Sequence, residues 1–316
     1  MDLAGATIAV TGATGFLGRY IVDVLLARGA RVVGVVRSPQ KAPELPERGV
    51  ELRRADLAEP DALAEGFAGA DALVSNAALF AMSYHRPAEY LETNLEGTRN
   101  VFAAAAKAGV RRVVQVSSCI VYRRGAPRPV GEDAPLRERP RRLRTWNAYA
   151  ASKALAERAA WQLAAERGIG LTSVRPGGIY GAFDPNFTRV HKAFVRPPVS
   201  AYPALFHVSL VYAADVADGI ARALERDAAL GRAYNLTGGD PAATAWDFLR
   251  AWRAAGGRAP ALLLPVPVPI RQHYSVRRAR DELGWRSRPM LDALRETLAA
   301  EAAGPAARRI AVGSAT

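Results

Sequence analysis

The sequence predicts an α/β protein in which a doubly wound parallel sheet is followed by a smaller C-terminal lobe. Three observations lead there. Short β-branched runs alternate with longer helical patterns from the N-terminus onward, the rhythm of βαβ units. A glycine-rich stretch sits between the first such run and the first helix. After Val174 the rhythm gives way to shorter elements set among prolines and glycines.

In chain order, strands are expected at Thr7–Thr11, Arg31–Val36, Val50–Arg53, Ala72–Ser75, Arg112–Val116 and Leu171–Val174. Helical periodicity fills the gaps at Phe16–Arg28, Pro60–Phe67, Pro87–Ala108 and Tyr149–Arg167. These elements make a first unit, residues 1–175. Residues 176–316 form mainly a second, with helices near Ala214–Leu224, Ala245–Ala255 and Leu291–Ala302. Elements of 205–237, the strand near Ala233–Leu236 above all, are expected to return to the main sheet. The Pro- and Arg-rich loop Arg123–Arg144 interrupts the first unit, and no internal repeat is visible.

The 316 residues are 50% hydrophobic, which supports a sizeable core. No apolar run reaches the roughly 18 residues of a membrane span. The most apolar stretch, Ala261–Ile270, is broken by Pro265, Pro267 and Pro269. Asp2 stands where a secretory leader would carry basic residues, so a cytoplasmic location without a membrane partner is expected. Cys119 is the lone cysteine, and His85, His191, His207 and His273 are scattered, so no disulfide within the chain and no metal site are expected. The net charge of +13 comes almost wholly from arginine, lysine being confined to Lys41, Lys107, Lys153 and Lys192. Spread along the whole chain, it reads as solvated surface charge or a channel for an anionic substrate, and no nucleic-acid partner is expected.

The glycine stretch runs Thr11-Gly12-Ala13-Thr14-Gly15-Phe16-Leu17-Gly18. Between a strand and a helix, glycines let the backbone approach a pyrophosphate while the helix start offers N–H groups and the positive dipole end. A site for NAD usually has an acidic residue after the second strand, gripping the ribose 2′-hydroxyl. Here that strand ends Val35-Val36-Arg37-Ser38. Arg37 either meets a 2′-phosphate, which favours NADP over NAD, or is a surface charge.

Tyr149 and Lys153 are four residues apart in a helical segment and so share one face. A phenol titrates near pH 10, and a neighbouring ammonium is expected to bring it nearer neutrality for acid–base work. Upstream, the fifth strand ends in Ser117-Ser118-Cys119, at the edge where open α/β sheets hold ligands. A serine there can hydrogen-bond a carbonyl oxygen or cap the strand end; Cys119 reads as a small buried filler.

On these motifs the chain resembles the extended branch of the short-chain dehydrogenase/reductase superfamily, the NAD-dependent epimerase/dehydratase family, over nearly its whole length. Thr11–Gly18 matches the TGxxGxxG loop, Tyr149–Lys153 the YxxxK motif, and Ser118 the family's serine. The resemblance implies a Rossmann sheet and a Ser118–Tyr149–Lys153 catalytic set. It implies cofactor contacts at Gly12, Thr14, Gly15, Phe16, Leu17, Gly18, Arg37, Asp56, Leu57, Asn76, Ala77 and Ala78, with Tyr149, Lys153, Pro176, Gly178 and Ile179 beside the nicotinamide. Phe80, Asn94 and Tyr180 would lie near the substrate. Gly178 stands where sugar-nucleotide enzymes carry asparagine, and Val208–Val216 lacks their arginine–aspartate start. This turns the reading toward the hydroxysteroid dehydrogenase, dihydroflavonol reductase and hopanoid-associated epimerase-like members. The implied activity is NADP-dependent ketone reduction or alcohol oxidation on a small molecule. An epimerase or dehydratase acting on a (nucleotide-)sugar is the alternative, and a non-catalytic NADP sensor a third. Relatives pair through the two helices that correspond to Pro87–Ala108 and Tyr149–Arg167, which implies a homodimer. The Arg123–Arg144 loop would be a lid, or a basic clamp through Arg137, Arg139, Arg141, Arg142 and Arg144.

Overall fold

The structure, a computed structural model, describes residues 1–80, 86–123, 125–126, 128–137, 145–203, 206–207, 209–238, 243–266 and 272–304. Its first half follows the expected alternation: β1 (Thr7–Thr11), α1 (Phe16–Ala27), β2 (Arg31–Val36), α2 (Glu44–Glu47), β3 (Glu51–Arg54), α3 (Pro60–Phe67) and β4 (Ala72–Ser75). Then come α4 (Pro87–Tyr90), α5 (Gly97–Lys107), β5 (Arg112–Val116), α6 (Thr145–Arg167) and β6 (Gly170–Pro176). The second half holds β7 (Gly178–Tyr180), α7 (Phe187–Val195), β8 (Val199–Tyr202), β9 (Leu210–Tyr212), α8 (Ala213–Glu225) and β10 (Ala233–Leu236). It ends with α9 (Ala245–Ala254), β11 (Leu262–Pro265), α10 (Arg277–Leu283) and α11 (Met290–Ala303).

Seven parallel strands pair in the order β10-β6-β5-β4-β1-β2-β3. The chain runs outward from β1 on one side, then returns to β4 and runs outward on the other. Where the direction reverses, the loops after β1 and β4 part and open a crevice at the strand C-terminal ends. Strand alternation explains why β1 and β2 read as unbroken apolar runs. Ile8, Val10, Val32 and Val36 pack toward α1 and α8, whereas Ala9, Val33 and Val35 pack toward α3, α5 and α6. A strand covered on both faces has no solvent side to mark with polar residues. The first of these cores extends without a break to Trp252, Leu283, Trp285 and Leu294 of the C-terminal part.

Several boundaries differ from the sequence reading. The expected helix Pro87–Ala108 is α4 and α5 joined by a π-helical stretch, Leu91–Glu96. Helix α6 begins at Thr145, so Tyr149 lies a turn inside it rather than at its start. β3 is shifted by one residue and is a half-exposed edge. β7, β8, β9 and β11, of three or four residues each, and helices α7 and α10 were not foreseen. In the loop after β5, Tyr122 bridges to Leu136 and Val130 to Tyr274. Arg139, Arg141, Arg142 and Arg144 lie outside the described residues.

A candidate dinucleotide cleft with a serine, a tyrosine and a lysine at one end

The crevice is a cleft of about 570 Å³ running between the glycine loop and α6. Its floor is set by Thr11, whose Oγ1 accepts hydrogen bonds from the Asn76 and Ala77 amides at 2.9 and 3.0 Å. This bond ties the end of β1 to the end of β4. Gly12 has φ +67°, and a Cβ there would meet the Ala77 Cα at 3.1 Å. The N-terminus of α1 has no side-chain cap and no acidic residue in its first turn, which leaves its amides for an anion. Gly18 has a different task. A Cβ on it would strike the Gly12 carbonyl, so it lets α1 pack on the loop and is not part of the cleft wall.

At one end of the cleft stand Arg37, Ser38 and Lys41. The Arg37 guanidinium is 71% exposed and lies 3.8 Å from the Asp56 carboxylate. Arg19 braces this end, donating to the Thr14 carbonyl at 3.3 Å and the Lys41 carbonyl at 3.0 Å and pairing with Glu44.

At the other end, Ser118, Tyr149 and Lys153 face the same cavity. The Ser118 side chain stands close enough to the Tyr149 phenol to counter the rise that burial imposes on it. The Ser118 hydroxyl also caps the short turn Cys119–Val121, accepting from the Ile120 amide at 3.3 Å. The Lys153 ammonium donates to the Val116 carbonyl at 2.8 Å. Burial pushes the Tyr149 phenol above its ordinary value, with the neighbouring Ser118 side chain opposing and Tyr90 adding to the rise. The expected lowering by Lys153 is therefore not what governs this phenol: its ring packs beside Tyr90 and Phe80, whose ring centroids are 6.1 and 5.3 Å away. Burial brings Lys153 down to about 8, while the Glu157 charge works to keep it protonated.

Directly behind these groups is a buried polar cluster that sequence reasoning missed. Glu157, one helical turn beyond Lys153, is fully buried. It accepts from Ser117 Oγ at 2.5 Å, from Arg175 Nε and Nη2 at 2.9 and 2.5 Å, and from Trp161 at 3.3 Å. Burial works to raise the carboxyl, yet the Arg175 charge and these donors win and hold it below its ordinary value. Arg175 Nη1 continues the network to the Tyr122 hydroxyl at 2.9 Å and the Glu132 carbonyl at 2.8 Å. Tyr122 in turn donates to Asn235 of β10 at 2.6 Å.

Of the other residues singled out from sequence, Gly12, Thr14, Gly15, Phe16, Leu17, Asp56, Leu57, Asn76, Ala77, Ala78, Phe80, Pro176, Gly178 and Ile179 line the cleft. Asn94 and Tyr180 do not. Asn94 is buried in the π-helical stretch, where it exchanges hydrogen bonds with the Leu79 backbone and donates to Ser152 at 2.9 Å. It thus shapes the wall without reaching the cavity. Tyr180 turns to Tyr212 and Phe248 and lines a separate 260 Å³ cavity with Asp215 and Arg288. The walls that sequence reasoning missed include Lys41, Thr93, Asp184, Asn186, Phe187 and Val190. The Asp184-x-Asn186 spacing was the available signal: Asp184 accepts from the Asn186 and Thr188 amides at 2.9 and 2.6 Å, capping the start of α7.

Among the described residues no helix is long and apolar enough to cross a membrane, and no cluster of three His, Cys, Asp or Glu is poised for a metal.

Comparison with known proteins places this geometry. Residues 8–237 match the model of the NAD dependent epimerase/dehydratase family. A 4-hydroxy-2-methyl-3-oxo-4-farnesyl-3,4-dihydroquinoline-1-oxide ketoreductase from Stigmatella aurantiaca is 35% identical over 237 residues, 73% of this chain and 68% of that protein. Cinnamoyl-CoA reductase 1 of Petunia hybrida is 33% identical over 57% of this chain, a match that spans 56% of the relative. The solved structure of MoeE5 in complex with UDP-glucose and NAD is 25% identical, with a TM-score of 0.77 over 93% of this chain and 98% of that one. With its parallel seven-stranded sheet and its glycine loop at the switch point, the chain belongs to the NAD dependent epimerase/dehydratase family, in the extended short-chain dehydrogenase/reductase branch, as an NAD(P)-dependent oxidoreductase.

Proposed function

We propose that the protein is an NADPH-dependent carbonyl reductase whose substrate is a neutral, largely apolar ketone. The observation that carries this is that Ser118, Tyr149 and Lys153 all line the cleft that the glycine loop opens. The cleft fits a dinucleotide: Gly12 holds a left-handed backbone with Ala77 3.1 Å from where a Cβ would stand, and the amides of α1 are uncapped. Gly12, Gly15 and the α1 start would hold the pyrophosphate, with Arg37, Ser38 and Lys41 at the adenosine end. A 2′-phosphate there would meet two cations and a hydroxyl, which favours NADP over NAD.

When bound, the nicotinamide supplies the hydride. Ser118 donates a hydrogen bond to the substrate oxygen, and Tyr149 gives it a proton. The buried Tyr149, held above its ordinary pKa, stays protonated until needed and serves as the acid. Lys153, bonded to the Val116 carbonyl, holds a positive charge at the floor of the site.

The substrate end is largely apolar, with Thr93, Asp184 and Asn186 beside its hydrophobic side chains. Leu79, Phe80, Ile179, Phe187 and Val190 line it, and among the described lining residues no arginine and no lysine other than Lys153 stands there. A nucleotide-sugar diphosphate would need cations at that end, so the epimerase reading has less support. The named activities of the two sequence relatives, both reductases, lean the same way.

Incubating the protein with NADPH and a panel of aromatic and alkyl ketones tests the proposal. The expected outcome is stoichiometric loss of NADPH absorbance with formation of the secondary alcohol. Net conversion of a sugar nucleotide without cofactor consumption would overturn it in favour of an epimerase or dehydratase.

A further inference from the structure

Strands β8 and β11 form a small parallel sheet away from the main one, with Leu262 paired to Val199 and Leu264 to Ala201. Alternation gives it two faces. Tyr202 and Leu263 turn inward and pack with Val195 of α7 and with Ala245 and Leu249 of α9. The other face is open: Val199, Leu262 and Leu264 are each more than half exposed, and Val266 follows on the same side. An exposed apolar strip on an edge of a soluble protein is an interaction site or a liability.

Two further observations say what it meets. The first is charge. The stretches 185–214 and 248–280, which contain the sheet, α7 and most of α9, have no aspartate or glutamate at all. Arg196 and Arg258 are exposed and stand three and four residues before Val199 and Leu262. Because the strands are parallel and in register, both cations flank the same end of the apolar strip. Neither makes an ion pair among the described residues.

The second is a stripe on α7. Phe187, Val190 and Phe194 are spaced to share one face of the helix. Phe187 and Val190 line the cleft, while Phe194, further along, is 41% exposed and packs its ring against Tyr202 of β8. One helical face thus runs from the cleft wall to the open surface.

We propose that the β8/β11 face rests on an anionic lipid bilayer, with the α7 stripe leading from that surface to the cleft. Its apolar side chains would enter the headgroup boundary and its arginines would meet lipid phosphates, a contact that needs no spanning segment. The purpose assigned to it, uptake of an apolar ketone from the bilayer, rests on the reductase reading. The docking itself does not.

The full chain should be floated with vesicles of phosphatidylcholine alone and of phosphatidylcholine with phosphatidylglycerol. Binding is expected to the anionic vesicles only and to weaken as salt rises. The double variant Leu262→Asp, Leu264→Asp should lower partitioning at least tenfold. Arg196→Gln with Arg258→Gln should lower it by about fivefold per cation. NADPH affinity, measured on each variant, should stay unchanged; this shows that the chain is folded and keeps the result separate from whether ketones are reduced. Failure to bind anionic vesicles would overturn the proposal. So would binding that the leucine variant does not weaken, since that marks adsorption through overall charge. Loss of a dimer in the leucine variant, read by light scattering, would reassign the face to a second copy of the chain.

Discussion

Replacing Glu157 by glutamine should uncouple the charge of Lys153 from its surroundings, and the size of the effect follows from the burial of the cluster. Glu157 and Arg175 are both almost completely enclosed. Removing one partner of such a pair costs about 3–5 kcal/mol, because the other charge stays behind without compensation. At about 2.1 cal/mol/K of unfolding entropy per residue, that lowers the Tm of a chain of 316 residues by roughly 4–8 °C. The effect on Lys153 is separate. Side chains four residues apart on a helix lie ~6 Å from each other, and at an effective dielectric of ~20 a unit charge there is worth about 3 kcal/mol, or about two pH units. Lys153, now near 8, should therefore lose its proton below neutrality in the variant. The sign for stability is fixed as well. A lysine depressed below its unfolded value makes the fold more stable as pH rises through the interval from about 8 to the ordinary lysine value. In the variant that interval should begin lower. The chain has four lysines, so labelled-lysine NMR can follow Lys153 directly, assigned through Lys153→Arg. A Lys153 titration unmoved in a folded Glu157→Gln protein would refute the electrostatic reasoning. If that variant does not fold, Glu157→Gln with Arg175→Met removes both charges and permits the same measurement.

Three other outcomes are expected. Tyr149→Phe should cut turnover by about 10²–10⁴-fold with NADPH binding little changed; residual activity within about tenfold of the parent would remove Tyr149 from proton transfer. Arg37→Ala should weaken NADPH by about tenfold and NADH much less, since a charge-assisted bond to a 2′-phosphate exists only for the former; equal losses by titration calorimetry would sink the assignment. A homodimer joined through α5 and α6 should appear by light scattering at micromolar concentration, and a monomeric mass would exclude it.

The sheet was legible because β1, β2, β4, β5 and β6 are buried on both faces, which keeps them short, mostly apolar runs without a polar side. β7, β8, β9 and β11 have three or four residues each among prolines and glycines, too few for a period to show. The glycine loop and the 149–153 spacing were readable because backbone approach and helical register constrain the residue types directly. What Tyr149 experiences was not readable. Proximity to a lysine can be inferred from spacing, but the burial that raises the phenol depends on Phe80 and Tyr90, which come from a different part of the chain. The buried Glu157–Arg175 pair was hidden for the same reason: on the sequence both look like members of an abundant surface charge. Asn94 and Tyr180 were expected near the substrate, yet Asn94 packs behind the cleft wall and Tyr180 lines a separate cavity, because a motif does not say toward which side of a wall a side chain turns.

The last strand to enter the sheet has a consequence for synthesis. β10 pairs with β6 through residues 233–236, far downstream of the others. While the ribosome is still making α8, β6 presents an unpaired edge, an invitation to wrong partners. Asn235 also supplies the acceptor for Tyr122, so the frame behind Ser117 and Lys153 closes only when that residue has emerged. A fragment cut after residue 175 would carry the glycine loop, the serine, the tyrosine and the lysine, and would still lack the strand that locks them in place.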